Sequence, residues 1–271
     1  MRLHTEWLEY PGDGAVLRAY LARPAGASAP VPGLLLIQEM WGVDDHIEDL
    51  ARRYAEAGYA ALAPDLFSRG GSRPAPLAAA RVDAFKKFMD VAGPAVWGSP
   101  ADMQAALGRL PAEEAGQVAQ TQQALGTARD MPRHVADLRA AAAWLRAQPF
   151  CAGRRLGSVG YCMGGGLSAL LAAEDPELGG AVIYYGSALP AERIATVHCP
   201  VLGFYGGDDH RITGAVPAFA EAMAAAGKVF TPRIYAGAPH AFFNDTRSAY
   251  RAEPARDAWA RTLAFFAEHL A

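Results

Sequence analysis

The segment Gly160-Tyr161-Cys162-Met163-Gly164-Gly165 lies between an apolar run and an Ala/Leu-rich stretch, so a cysteine stands where a strand turns sharply into a helix. A residue on so tight a turn crowds its neighbours, and a β-carbon at 160 or 164 would clash, which explains the glycines there. The turn also places the Cys162 sulfur at a helix N-terminus, where unpaired N–H groups and the helix dipole favour thiolate over thiol. That is the chemistry of a nucleophile. The alternative is a structural thiol, since free cysteine is among the most buried residue types. Cys151, ahead of Gly153-Arg154-Arg155, and Cys199, directly before Pro200, lack this setting and read as bystanders.

A nucleophile on such a turn works with an acid and a histidine that follow it in chain order, on loops after successive strands. Two loops qualify: Gly206-Gly207-Asp208-Asp209-His210 after a strand at 201–205, and Ala236-Gly237-Ala238-Pro239-His240 after a strand at 229–235. Both follow the C-terminal ends of parallel strands, where the sites of open α/β sheets gather. His4, His46, His134, His198 and His269 fall on a hairpin, on helix surfaces or beside strand starts, and are expected in solvent. His210 adjoins the acids, which leaves His240 as the base. A carboxylate must fix its tautomer and stabilise the imidazolium. Asp208 and Asp209 both qualify, and spacing does not separate them.

The elements that must hold these residues alternate between strand and helix, the pattern of a mostly parallel sheet with helices on both faces. Residues 6–10 and 16–22 flank a Pro-Gly-Asp-Gly turn and read as an antiparallel hairpin. Strands are expected at 34–37, 59–63, 156–161, 181–185, 201–205 and 229–235. A helix should start at Asp44 or Asp45, another carries Val135, Leu138, Ala142 and Leu145 on one face, one follows Met163, and the last carries Trp259, Leu263, Phe266 and Leu270. Residues 69–133, rich in Ala, Gln, Pro and Gly, exceed a simple crossover and read as a cap or lid inserted into a single 1–271 domain; a surface insertion without a role is the alternative.

At 271 residues, 52% hydrophobic and 20% charged, the chain can bury a large core. A net charge of −3 without long basic runs gives no footprint for nucleic acid or an anionic membrane, so the expected partner is a small molecule. No apolar run approaches a membrane span, and the N-terminus lacks the pattern of a secretion signal. Three cysteines that cannot all pair within the chain suit a reducing, cytoplasmic setting, and their spacing matches no zinc motif. No metal or cofactor is expected, and the protein should be a monomer or small homo-oligomer.

Six blocks of the chain resemble the dienelactone hydrolase (carboxymethylenebutenolidase) family: Gln38-Glu39-Met40-Trp41-Gly42, Pro64-Asp65-Leu66, the 160–165 elbow, Tyr184-Tyr185-Gly186, Gly206 to His210, and Gly237-Ala238-Pro239-His240. The resemblance implies an α/β-hydrolase fold, with Cys162 as nucleophile, His240 as base and Asp209 as the acid. It implies that Glu39 is the glutamate that contacts the resting cysteine and helps to switch it on. It makes Tyr184 a pocket tyrosine, and it gives the oxyanion to backbone N–H groups of Met163 and of the Glu39–Met40–Trp41 loop. The implied substrate is an activated ester or enol lactone, hydrolysed through a thioester. Two departures bear on specificity. Asn244 stands where the family has an arginine for a substrate carboxylate, and Ala241 replaces a small hydroxyl residue. Arg69, Arg73, Arg81 and Arg247 are the candidates to replace that cation, and a thioesterase acting on a neutral, bulkier substrate is the second reading. A non-catalytic binding module is the third, disfavoured by an intact nucleophile, acid and histidine.

Overall fold

A computed structural model describes residues 2–93, 96 and 98–271, so positions 94, 95 and 97 of the insertion lie outside the described residues. The chain divides into two compact units, one made of Met1–Leu66 with Met131–Ala271 and the other of Phe67–Asp130.

The first unit is built on eight strands: β1 (Leu3–Pro11), β2 (Val16–Pro24), β3 (Gly33–Ile37), β4 (Ala60–Asp65), β5 (Leu156–Tyr161), β6 (Leu178–Tyr184), β7 (Val201–Gly206) and β8 (Phe230–Tyr235). They form one sheet in the order β1-β2-β4-β3-β5-β6-β7-β8. The N-terminal hairpin is antiparallel and joins β4 antiparallel, while every pairing from β4 to β8 is parallel. Strands β3, β4, β5 and β7 are buried along their whole length, as strands covered on both faces must be. β8 closes the edge and is largely exposed, which is why it tolerates Pro232.

Among the described residues the helices are α1 (Asp45–Glu56), α2 (Ala79–Ala92), α3 (Pro100–Leu107), α4 (Ala112–Thr127), α5 (Met131–Arg146), α6 (Met163–Glu174), α7 (His210–Thr213), α8 (Val216–Ala225) and α9 (Ala252–His269). The sheet separates two cores. One gathers Leu138, Ala142 and Leu145 of α5, Leu167 and Leu171 of α6, and Phe219 and Met223 of α8. The other gathers Ile47, Leu50 and Tyr54 of α1 with Ala258 and Phe266 of α9. Helix α1 begins where Asp44 accepts the Ile47 N–H at 3.1 Å, which makes Asp44 the cap of the two aspartates that the sequence left open. Two histidines expected in solvent are instead buried: His46 and His134 sit on the inward faces of α1 and α5. Among the described residues no helix is long and apolar enough to cross a membrane.

The second unit is helical. α2 and α3 both pack on α4, with Val82, Phe85 and Met89 buried on α2, and Val118 and Leu125 on α4. The Thr121 hydroxyl donates to the Pro76 carbonyl at 2.9 Å, and the Arg81 guanidinium donates to the Gln117 carbonyl at 2.7 Å and to Gln120 Oε1 at 3.2 Å. Arg81 is thus committed within its own unit. The C-terminal boundary differs from the expected 69–133, because residues 131–133 are the first turn of α5, whose apolar face belongs to the sheet.

Candidate active site

Cys162 connects β5 to α6 with φ 55° and ψ −114°, a conformation that costs a non-glycine residue energy. Only close packing can hold it. A β-carbon on Gly160 would come within 1.8 Å of the Gly164 carbonyl oxygen, and one on Gly164 within 2.3 Å of the Ile37 carbonyl oxygen. The turn therefore lies directly on the end of β3. On its other side the Cys162 N–H donates to the Tyr184 carbonyl at 3.0 Å. Cys162 is half-buried, whereas Cys151 and Cys199 are buried, and burial pushes each of their thiols up to about 12.

The side chains of Asp209 and His240 meet because the loops after β7 and β8 touch. Gly206 makes this possible: a β-carbon there would stand 2.4 Å from the Ala238 carbonyl oxygen. The Asp208 N–H donates to that same carbonyl at 3.0 Å, which turns the Asp208 side chain outward and the Asp209 side chain inward. Asp209 Oδ2 lies 2.5 Å from His240 Nδ1, with the Asp209 side chain buried. Asp208 is exposed, a distinction that loop spacing could not make. Burial works against the charged form of His240, but hydrogen bonds to Asp209 and to the Cys162 sulfur outweigh it and raise its pKa to about 10. Cys162, His240 and Asp209 are therefore brought together, each from a loop at the C-terminal edge of the sheet.

Glu39 follows β3 and is buried. Its Oε1 accepts the Tyr185 hydroxyl at 3.2 Å, and its Oε2 accepts Asn244 Nδ2 at 3.0 Å. Neither partner is Cys162, the contact the resemblance implied. Asn244 is likewise buried and its amide faces Glu39. Met163 and Met40 are half-buried, at the start of α6 and in the loop after β3. The Trp41 ring is buried, with the Arg247 guanidinium 5.4 Å from its centroid.

Tyr184 does not reach this group. It ends β6 with its ring in the core beside Tyr161, Phe204 and Phe243, and its hydroxyl meets Thr262 Oγ1 at 2.7 Å. Tyr185 lies just past the end of β6, and its ring packs beside that of Tyr184, with centroids 6.1 Å apart. Tyr185, at φ 41°, turns its hydroxyl to Glu39 and its ring edge-on to His240 at 5.1 Å. Sequence reasoning missed Tyr185, although its place just past a parallel strand's C-terminal end was the available signal. It also missed Asp245, which meets His46 Nδ1 at 3.5 Å and Arg53 Nη2 at 2.6 Å and so ties the loop after His240 to α1.

Acyl transfer is the chemistry that suits such an arrangement, with a thiol to attack an acyl carbon and a histidine to move the proton. The profile of the Dienelactone hydrolase family matches residues 17–270. The chain is 34% identical over 257 residues to a Saccharolobus solfataricus protein named "Putative carboxymethylenebutenolidase", covering 94% of this chain and 95% of that one. It is 32% identical over 261 residues to the carboxymethylenebutenolidase of Pseudomonas putida, covering 94% and 92% of the two. A solved Klebsiella pneumoniae structure, described as "Putative Dienelactone Hydrolase", superposes with a TM-score of 0.73 at 28% identity, covering 98% of this chain and 99% of the other. The chain belongs to the dienelactone hydrolase family and is an α/β hydrolase acting on ester bonds.

Proposed function

We propose that Cys162, His240 and Asp209 form a catalytic triad that hydrolyses an activated ester, an enol lactone of the dienelactone type, through a thioester. The observation that supports it most is the 2.5 Å contact between His240 Nδ1 and buried Asp209, on a histidine whose charged form is also favoured by the Cys162 sulfur.

The Cys162 thiolate attacks the acyl carbon, and the carbonyl electrons move to oxygen. The Met163 N–H, one of those that α6 itself leaves unpaired at its start, and N–H groups of the 39–41 loop stabilise that oxyanion. When the intermediate collapses, the C–O bond of the leaving group breaks and His240 supplies its proton. Neutral His240 then takes a proton from water, whose oxygen displaces the thiolate from the thioester. A thiolate leaves more readily than an ordinary alkoxide, so attack on a simple alkyl ester reverses. In an enol lactone the leaving oxygen's charge is delocalised as an enolate before it takes the His240 proton, so the C–O bond breaks readily and the reaction runs forward.

The second reading, a neutral and bulkier ester or thioester, is favoured by one observation: Asn244 supplies no charge, and its amide already serves Glu39. Both readings are tested by kcat/KM for a dienelactone carboxylate against its methyl ester, in the wild-type protein and in Cys162→Ala. Loss of turnover in Cys162→Ala and a mass increase of one acyl group on the wild-type protein are expected. Preference for the anion by more than about tenfold, or about 1.4 kcal/mol, selects the first substrate class, and a smaller ratio selects the second. Undiminished turnover in Cys162→Ala would refute the triad.

A further inference from the structure

Three loops, following β3, β6 and β8, converge on one buried carboxylate. Glu39 holds the Tyr185 hydroxyl on one oxygen and the Asn244 amide on the other. That amide cannot turn over. Its Oδ1 accepts the Thr246 N–H at 3.0 Å and the Thr246 hydroxyl at 2.6 Å, so only the NH2 is left to face Glu39. The residue between them is held from α1, with Asp245 against Arg53 and His46. β5 lies between β3 and β6 in the sheet, so Glu39 and Tyr185 flank the strand that carries Cys162, and the Tyr185 ring meets His240.

We infer that Asn244 is a positioning residue of the hydrolytic site and acts on the reaction only through the Glu39 carboxylate that it holds against Tyr185. The inference rests on the triad proposed above. A buried carboxylate is tolerated only when its oxygens are hydrogen-bonded. An amide supplies one of those bonds and leaves the charge in place, whereas a cation at 244 would also neutralise it. Held by two donors from opposite loops, the carboxylate fixes Tyr185, and Tyr185 supports one face of His240. Asn244 does not touch the substrate.

The test is a double-mutant cycle read in kcat and KM separately. Removing a donor to a charged group should lower kcat about tenfold or more in Asn244→Ala, with KM changed by less than about threefold. In Glu39→Gln, the added Asn244→Ala change should cost less than about twofold, because the carboxylate it served is gone. Thr246→Val removes only the hydroxyl that orients the amide, so it should shift kcat in the same direction by a smaller factor, and it serves if Asn244→Ala does not fold. Asn244→Asp sets a second carboxyl against Glu39, so the pair must share a proton. Its kcat should fall as pH rises through that shared ionisation, while the wild type shows no such step. Losses at 39 and 244 that simply multiply, or an Asn244→Asp pH profile superimposable on wild type, would overturn the inference. Failure of the triad shows separately, as turnover in Cys162→Ala.

Discussion

Asp209→Asn removes the charge that faces His240 and keeps the shape of the side chain. The lost contact is a 2.5 Å hydrogen bond to a buried carboxylate, and such charged hydrogen bonds contribute about 1.5–3 kcal/mol, or roughly a factor of 10 to 150. A second loss adds to this. The amide introduced at position 209 can donate to Nδ1, which favours the tautomer whose proton sits on the nitrogen facing Cys162, where it blocks proton uptake. Turnover of an activated aryl ester should therefore fall by at least about 10²-fold, and the same exchange in a serine protease triad lowers turnover by about 10⁴. The pKa of His240, held up to about 10, should fall as well, since Asp209 is the first of the groups that raise it. Asp208→Asn is the control, because Asp208 is exposed and its backbone alone contacts the His240 loop. Initial rates across pH and histidine titration by NMR measure both effects. An Asp208→Asn enzyme as impaired as Asp209→Asn, or an Asp209→Asn enzyme within about threefold of wild type, would refute the reasoning.

Iodoacetamide at neutral pH should label Cys162 alone, because burial excludes Cys151 and Cys199 and pushes their thiols up to about 12; peptide mapping that finds comparable adducts on all three would contradict this. His240 also links stability to pH. Its folded value of about 10 lies above the ordinary 6.5, so its contribution is complete below about 6.5 and disappears as pH rises through about 10. The Tm difference between wild type and His240→Gln should accordingly narrow over that window, and a constant difference would count against the charged pairing.

Much of the fold was legible in the sequence because it rests on local rules. The hairpin turn, the helix start at Asp44 or Asp45, the apolar run of β3 and the helical face of Val135, Leu138, Ala142 and Leu145 are set by neighbours a few residues apart. Cys162 and His240 were legible for a related reason: a glycine-flanked turn between strand and helix, and a histidine past a late parallel strand, have few other uses. What depends on which way a side chain turns was not. The sequence left Asp208 and Asp209 open, and the family resemblance chose Asp209; in the fold the Asp208 N–H bonds to the Ala238 carbonyl and the second aspartate turns inward. The adjacent pair Tyr184 and Tyr185 shows the same thing: Tyr184 ends β6 with its hydroxyl on Thr262, whereas Tyr185, just past the strand at φ 41°, sends its hydroxyl to Glu39, and only the tertiary fold sets those partners. Glu39 lies 146 residues along the chain from Tyr185 and 205 from Asn244, its two hydrogen-bond partners. No local pattern marks such a cluster. It exists because sheet order places β3, β5 and β6 side by side, and because a carboxylate buried there must find donors from whatever loops lie within reach.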